Sequence, residues 1–330
     1  MPQAISKTSF ATWQLLEDLI ISISGPEYVI QALGERIDLS FGGDDRMTYT
    51  LKIVWNPARF DILKQHFWKE NLGPECLVEY SNSEKHLFLG VSHYELLNID
   101  TGILEFYTEN EVNKLHNQYS YPFLRWIGRL LNSRGFAPIH AAAIGDMGSY
   151  VLVPGKATAG KSTTTATWMI HKGDYLSDDF VFLSGNSAHG YYRGINLRHS
   201  SLSLFKDTIP DLFQKTRLSP VNEEKIFMHD SPKEKKHKTG GNPSAIWCPE
   251  IGYSQPHFRE VSKSYAYNSL LSSIQFNKEF QFDLRLCHQT IKSLVNELPA
   301  FAICLTADIS ENFRFMQEAL RQINQDKSSR

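Results

Sequence analysis

The chain has 330 residues, of which 42% are hydrophobic and 12% aromatic, and a net charge of −2 at pH 7. That length suits two domains of ordinary size, each able to fill a core. The near-neutral balance excludes a globally basic nucleic-acid binder and gives no reason to expect a membrane surface as partner.

Near the start, Glu17 and Asp18 interrupt the apolar run at 15–21, so no signal peptide is expected. Residues 47–55 place Met47, Tyr49, Leu51, Ile53 and Trp55 on one face, which is strand periodicity. Segments 76–80 and 87–91 predict a strand pair around Ser81-Asn82-Ser83. Segments 96–99 and 103–107 flank Asp100-Thr101-Gly102, a hairpin turn. A helix follows, with Pro122 at its first position and Gly135 as its stop. Phe123, Ile127, Leu130 and Leu131 share one face, with Trp126 beside them. The first domain therefore reads as α+β over 1–134 and the second as 135–330.

The second part opens with a predicted hairpin, 139–144 and 150–153, around Gly145-Asp146-Met147-Gly148. A helix over 162–172 ends at Gly173. Strands at 175–179 and 180–183 precede a turn at Ser184-Gly185-Asn186. Lys233-Glu234-Lys235-Lys236-His237-Lys238, followed by Thr239-Gly240-Gly241-Asn242-Pro243, has no apolar periodicity. It reads as an exposed loop, either merely solvated or a basic clamp over phosphates or an acidic peptide. Residues 300–305 predict a buried strand, and 310–323 an amphipathic closing helix with a frayed polar tail from 325 onward. Cys76, Cys248, Cys287 and Cys304 are scattered without a C-x-x-C, which predicts reduced thiols and a cytoplasmic setting. No metal-site spacing joins them to the histidines, and no apolar stretch reaches the about 18 residues of a spanning helix.

Gly155-Lys156-Ala157-Thr158-Ala159-Gly160-Lys161-Ser162 fits G-x-x-x-x-G-K-[ST], the phosphate-cradling loop. The strand before it and the helix after it supply the context that the motif needs. Glycines let successive backbone N–H groups converge on an anion. The helix N-terminus adds free N–H groups and a favourable dipole. Residues 155–162, with Thr163, are the expected nucleotide contacts. Lys161 is expected to reach the β- and γ-phosphates, and the Ser162 hydroxyl to hold Mg²⁺. Lys156 either adds a phosphate contact or points to water.

Asp178-Asp179 follows soon after Lys161, at the end of an apolar strand. Phosphoryl transfer needs a metal held near the phosphates and a group that orients or deprotonates the acceptor. Two adjacent acids at a strand end can divide those jobs. The bland alternative is a solvated turn or helix cap. His140 precedes Ala141-Ala142-Ala143-Ile144 on the strand paired with the loop's own strand. It is either a satisfied core residue or a group at the same sheet end, hydrogen-bonded to Asp178 and tuning its proton affinity.

Ile139-His140-Ala141-Ala142-Ala143, then 155–162, then Leu176-Ser177-Asp178-Asp179 resembles HPr kinase/phosphorylase and its shorter relatives. Those relatives include kinases encoded beside lasso-peptide and other ribosomal-peptide pathways. The likeness spans roughly 125–320, within the range of one domain. The stretch from Arg193-Gly194-Ile195-Asn196-Leu197-Arg198 to Phe205, and Ala245-Ile246-Trp247-Cys248-Pro249, resemble the peptide-modifying branch. The resemblance implies an α/β fold: a P-loop kinase domain of the phosphoenolpyruvate carboxykinase-like type behind an N-terminal α+β domain. By that resemblance Asp178 is the general base toward a serine hydroxyl, assisted by His140. Asp179 and Ser162 hold Mg²⁺, and Lys161 binds phosphate. Arg193 and Arg198 are candidates to stabilise charge on the transferring phosphoryl group, or else surface salt-bridge formers.

One departure is clear. The Leu-Glu-x-Arg-Gly signature of true HPr kinases is replaced by Tyr191-Tyr192-Arg193-Gly194, which lacks the glutamate. Neither the phosphorylase half-reaction nor HPr as substrate is then implied. The expected activity is ATP-dependent transfer of the γ-phosphoryl group to a Ser/Thr hydroxyl of a peptide or small protein. A lasso-peptide or other ribosomal-peptide precursor is one such substrate, and the first domain is a candidate to bind it. The competing readings are a small-molecule kinase acting on an amino acid or sugar, and a nucleotide-sensing module without turnover. Homo-oligomerisation stays open.

Overall fold

The computed structural model describes residues 8–16, 19–34, 40–41, 51–55, 78–81, 85–89, 93–98, 101–108, 123–146, 148–156, 158–191, 195–205, 217–218, 225–228, 240–274 and 282–328. The protein is mixed α/β, and the chain divides into two units between Ser120 and Tyr121.

Among the described residues, the first unit is an eight-stranded sheet with one helix. Its strands are β1 (Thr8–Leu16), β2 (Leu19–Pro26), β3 (Ser40–Phe41), β4 (Leu51–Trp55), β5 (Val78–Ser81), β6 (Lys85–Leu89), β7 (His93–Asn98) and β8 (Ile103–Thr108). They are ordered β3-β1-β2-β4-β8-β7-β6-β5. Leu19, Ile21 and Ile23 share one face of β2 and are fully buried. The helix α1 (Glu27–Gly34) packs on β1 and β2. The predicted hairpins stand as β5–β6 and β7–β8. The second is closed by the Thr101 N–H donating to Asn98 Oδ1 at 3.1 Å, with Gly102 at φ 61. Of the predicted strand 47–55, residues 51–55 form β4, and 47–50 lie outside the described residues.

The second unit opens with α2 (Leu124–Ser133). Phe123 precedes it in left-handed backbone, and Pro122 lies outside the described residues. The unit begins ahead of the expected boundary at 134/135 because this helix is tied downstream. Asn132 Nδ2 donates to the Phe136 carbonyl at 3.0 Å, and its Oδ1 accepts the Asp283 N–H at 2.7 Å.

Next come β9 (Ala137–Ile139), β10 (Ala142–Asp146), β11 (Ser149–Val153), α3 (Lys161–Ile170), β12 (Asp174–Ser177), β13 (Val181–Ser184) and β14 (Ser187–Gly190). β15 (Ile195–Arg198) pairs with β17 (Lys225–Met228), which also pairs with β16 (Arg217–Leu218), in a small separate sheet. The short α4 (His199–Leu202) follows β15. The remaining elements are β18 (Gly240–Ile251), β19 (His257–Glu260), α5 (Lys263–Leu271), α6 (Leu284–Glu297), β20 (Ala300–Leu305) and α7 (Ile309–Ser328).

The long β18 belongs to two sheet branches. One runs β12-β10-β11-β18 and continues through β20 to β19; the other runs β18-β14-β13-β9. Helices cover the branch containing β11 on both faces. Val151 and Val153 join α3 and α7 through Trp168, Met316 and Leu320. Tyr150 and Leu152 join α5 and α6 through Ala266, Leu270, Ile291 and Leu294. Successive residues of one strand thus feed opposite cores. Among the described residues, no helix is long and apolar enough to cross a membrane.

Three local expectations change. The run 139–144 is not one strand: it ends as β9 at Ile139 and restarts as β10 at Ala142, each in a different branch. Residues 240–243 are not loop but the start of β18. Gly241 is required there, since a Cβ would meet Tyr150 Cε2 at 2.3 Å and the Gly148 carbonyl at 2.6 Å. Pro243 is tolerated because the ladder shifts register beside it, between Tyr150 and Val151. Finally, α7 continues through Gln325 to Ser328 rather than fraying. The basic run 233–239 lies outside the described residues.

Candidate functional site

Strand register alone gathers the candidate residues. Ala142 of β10 pairs with Val153 of β11, the last strand residue before the glycine loop. Ala143 pairs with Ser177, the residue before the two aspartates. Ile139 pairs with Val181, so His140-Ala141 and Asp178-Asp179-Phe180 cross between the branches side by side. Both crossings are made by tight turns. The Ala141 N–H donates to the Ile139 carbonyl at 3.0 Å, and Ser177 Oγ accepts the N–H groups of Asp179 at 3.4 Å and Phe180 at 3.2 Å.

His140 Nε2 lies 4.0 Å from Asp179 Oδ1. Its ring meets the fully buried Phe180 ring edge-on, with centroids 5.2 Å apart. The expected partner of His140 is Asp178; the 4.0 Å approach described here is to the neighbouring Asp179. Asp178 is fully buried, whereas Asp179 keeps 13% of its side chain exposed.

The loop turns tightly, with the Ala159 N–H on the Lys156 carbonyl at 3.1 Å. Thr158 and Gly160 adopt positive φ, 73° and 100°. Gly155 and Ala159 are half-buried, Lys156 and Thr158 are exposed, and Ala157 lies outside the described residues. Lys161 is 7% exposed, and its ammonium folds back to donate to the Gly155 carbonyl at 2.7 Å and the Lys156 carbonyl at 3.4 Å. Carbonyl dipoles thus hold a positive charge under the loop, which attracts an entering anion strongly because burial weakens solvent screening.

No side chain caps the start of α3. Two buried threonines of the helix bond to its own backbone: Thr164 Oγ1 donates to the Gly160 carbonyl at 2.9 Å, and Thr165 Oγ1 to the Lys161 carbonyl at 3.0 Å. Ser162 and Thr163 are half-buried, and Thr163 Oγ1 donates to Ser201 Oγ at 3.3 Å. That bond brings the segment after Arg198 beside the helix. Arg198 itself is exposed at the end of β15, and among the described residues no hydrogen bond or ion pair joins it to the loop or to either aspartate. Arg193 lies outside the described residues.

The Ser162 hydroxyl and the Asp179 carboxylate are hard oxygen donors, the kind Mg²⁺ takes alongside phosphate oxygens. Among the described residues, no group of three or more His, Cys, Asp or Glu side chains gathers to hold a metal on protein ligands alone.

The sequence reading missed the other side of the loop. Gly160, Thr163 and Thr167 line a cleft of about 290 Å³ together with Ile251 and Gly252 at the end of β18 and Leu305 to Ala307 at the end of β20. Glu250 anchors that rim: it accepts from Tyr253 OH at 2.7 Å, Arg259 Nη2 at 2.7 Å and Tyr265 OH at 3.1 Å. The Tyr253 hydrogen bond, followed by the Arg259 and Tyr265 contacts, holds the Glu250 carboxyl below its usual range, and the same bond pushes the Tyr253 phenol up to about 12.

No protein-family model matches the chain, and no curated protein matches it. The functional reading therefore rests on the residues and their arrangement.

Proposed function

We propose that the protein is an ATP-dependent phosphotransferase that moves a γ-phosphoryl group to a Ser/Thr hydroxyl of a peptide or small protein. One observation carries the reading: strand pairing brings the glycine loop, His140 and the acidic pair to one sheet edge. A glycine-rich motif by coincidence would have no reason to sit beside two aspartates and a histidine drawn from separate strands.

In this reading the loop and the start of α3 bind the triphosphate through N–H groups and the Lys161 ammonium. Ser162 and Asp179 would hold Mg²⁺, which would supply neutralisation of the phosphate charge. Asp178 accepts the proton of the acceptor hydroxyl as its oxygen attacks the γ-phosphorus, and the bond from that phosphorus to the β–γ bridging oxygen breaks. His140 positions the acidic turn through Asp179. Arg198 remains a candidate for stabilising the transferring group only if β15 or its own side chain moves toward the loop. The kinase fold type implied by the sequence resemblance, and a cytoplasmic setting, belong to the same proposal.

The test is incubation with labelled ATP, Mg²⁺ and a serine-ended precursor peptide. Phosphopeptide is the expected product, and absence of transfer to any peptide tested counts against the assignment. Asp178→Asn separates an enzyme from a nucleotide sensor. It should abolish transfer while ATP still binds; unchanged turnover removes Asp178 from the role of base.

A further inference from the structure

β11 and β18 run parallel, as do β18 and β20. β12 is antiparallel to β10, which is antiparallel to β11, so β12 shares their direction. The carboxyl ends of four strands therefore open on one edge, where ligands of open α/β sheets bind. Their order along that edge is β12, β11, β18, β20, with β10 between the first two. The glycine loop leaves β11. It is flanked by the two aspartates after β12 on one side and by the cleft beside β18 and β20 on the other.

We propose that this cleft takes the nucleoside part of the nucleotide. The triphosphate then runs from it past Gly160 toward Asp178 and Asp179. The assignment rests on the phosphotransferase reading above and adds where the base and ribose lie. Three features support it. The floor is apolar, made by Leu305, Ile309 and Met316, and suits the faces of a flat heteroaromatic ring, while Thr167 and Ser200 place hydroxyls within the same lining. Ile251 on the rim is 60% exposed, an apolar surface that a bound ring would cover. The wall after β20 is fixed: Asn312 Oδ1 accepts the Thr306 N–H at 3.0 Å, and its Nδ2 donates to the Thr306 carbonyl at 2.9 Å. An acceptor peptide in this cleft would sit across the loop from both aspartates, on the wrong side for proton transfer.

Ser200 and Ala307 line the cleft at exposed positions, so a tryptophan at either obstructs it without entering the core. The unaltered protein, Ser200→Trp and Ala307→Trp are each titrated with ATP and with inorganic tripolyphosphate in the presence of Mg²⁺. Both variants should lose about tenfold or more in ATP affinity and retain tripolyphosphate affinity. Unchanged ATP affinity in both variants overturns the cleft assignment and leaves the phosphate loop standing. Equal loss of both ligands also overturns it, since the cleft would then not be separable from the phosphate site. If the unaltered protein binds neither ligand, the phosphotransferase reading itself fails.

Discussion

His140 Nε2 stands 4.0 Å from Asp179 Oδ1, and the two residues lie on neighbouring crossings between sheet branches. If they act as a unit, His140→Ala and Asp179→Asn should each slow phosphoryl transfer about a hundredfold or more. The double variant should then fall short of the product of the two losses. Initial rates of phosphopeptide formation, with circular dichroism to confirm folding, decide this. Fully multiplicative losses would separate the two residues.

Gly160 has φ 100°, and a Cβ there would meet Ile251 Cγ2 at 3.2 Å. Gly160→Ala should strain the turn that opens α3 by about 1–2 kcal/mol and weaken nucleotide binding. Calorimetric titration with ATP and a urea melt read the two effects separately. An affinity equal to that of the unaltered protein would show that the turn relaxes without loss.

Trp168 Nε1 donates to the Gly145 carbonyl at 2.9 Å in the core, and Gly173 gives its ring room, since a Cβ there would fall 2.2 Å from Nε1. Trp168→Phe leaves the buried carbonyl without that donor and should destabilise the second unit by about 1–3 kcal/mol. A shifted urea midpoint with an unchanged slope is the expected signature. A midpoint within error of the parent would mean that another donor replaces the indole.

Burial lowers the proton affinity of His189 on β14 below its ordinary value of 6.5, and its Nδ1 has no hydrogen-bond partner among the described residues. The unfolded chain takes up this proton near that ordinary value, whereas the folded chain resists it to lower pH. Stability should therefore decline as pH falls through 6.5 and level off below the folded value. His189→Phe should flatten this part of the profile. Urea midpoints at about pH 8 and about pH 5.5 compare the two proteins, and an identical slope in both would assign the dependence elsewhere.

The loop and the β7–β8 hairpin were legible because each is specified locally, by glycines at positive φ and by a turn whose own asparagine caps it. The break at His140 was not. The run from Ile139 to Ile144 is apolar on both sides of the histidine, and only the rival partners Val181 and Val153 divide it. The start of β18 was hidden for the opposite reason: Gly240-Gly241-Asn242-Pro243 carries turn residues, but the glycine serves a close approach to Tyr150. In β2 the buried Leu19, Ile21 and Ile23 stand two residues apart, a strand period present in the sequence itself. The cleft joins residues near 163, 200, 251 and 306, a convergence that no local pattern encodes.

The place of β18 between β11 and β20 also bears on how the protein is made. A ribosome releases the glycine loop long before the segment Ala300–Leu305, yet β18 needs that segment as its neighbour, and the cleft needs the residues just after it. A partly synthesised chain therefore exposes its glycine loop beside an unfinished sheet, and the edge on which ligands would bind closes only once the residues through Ala307 have emerged.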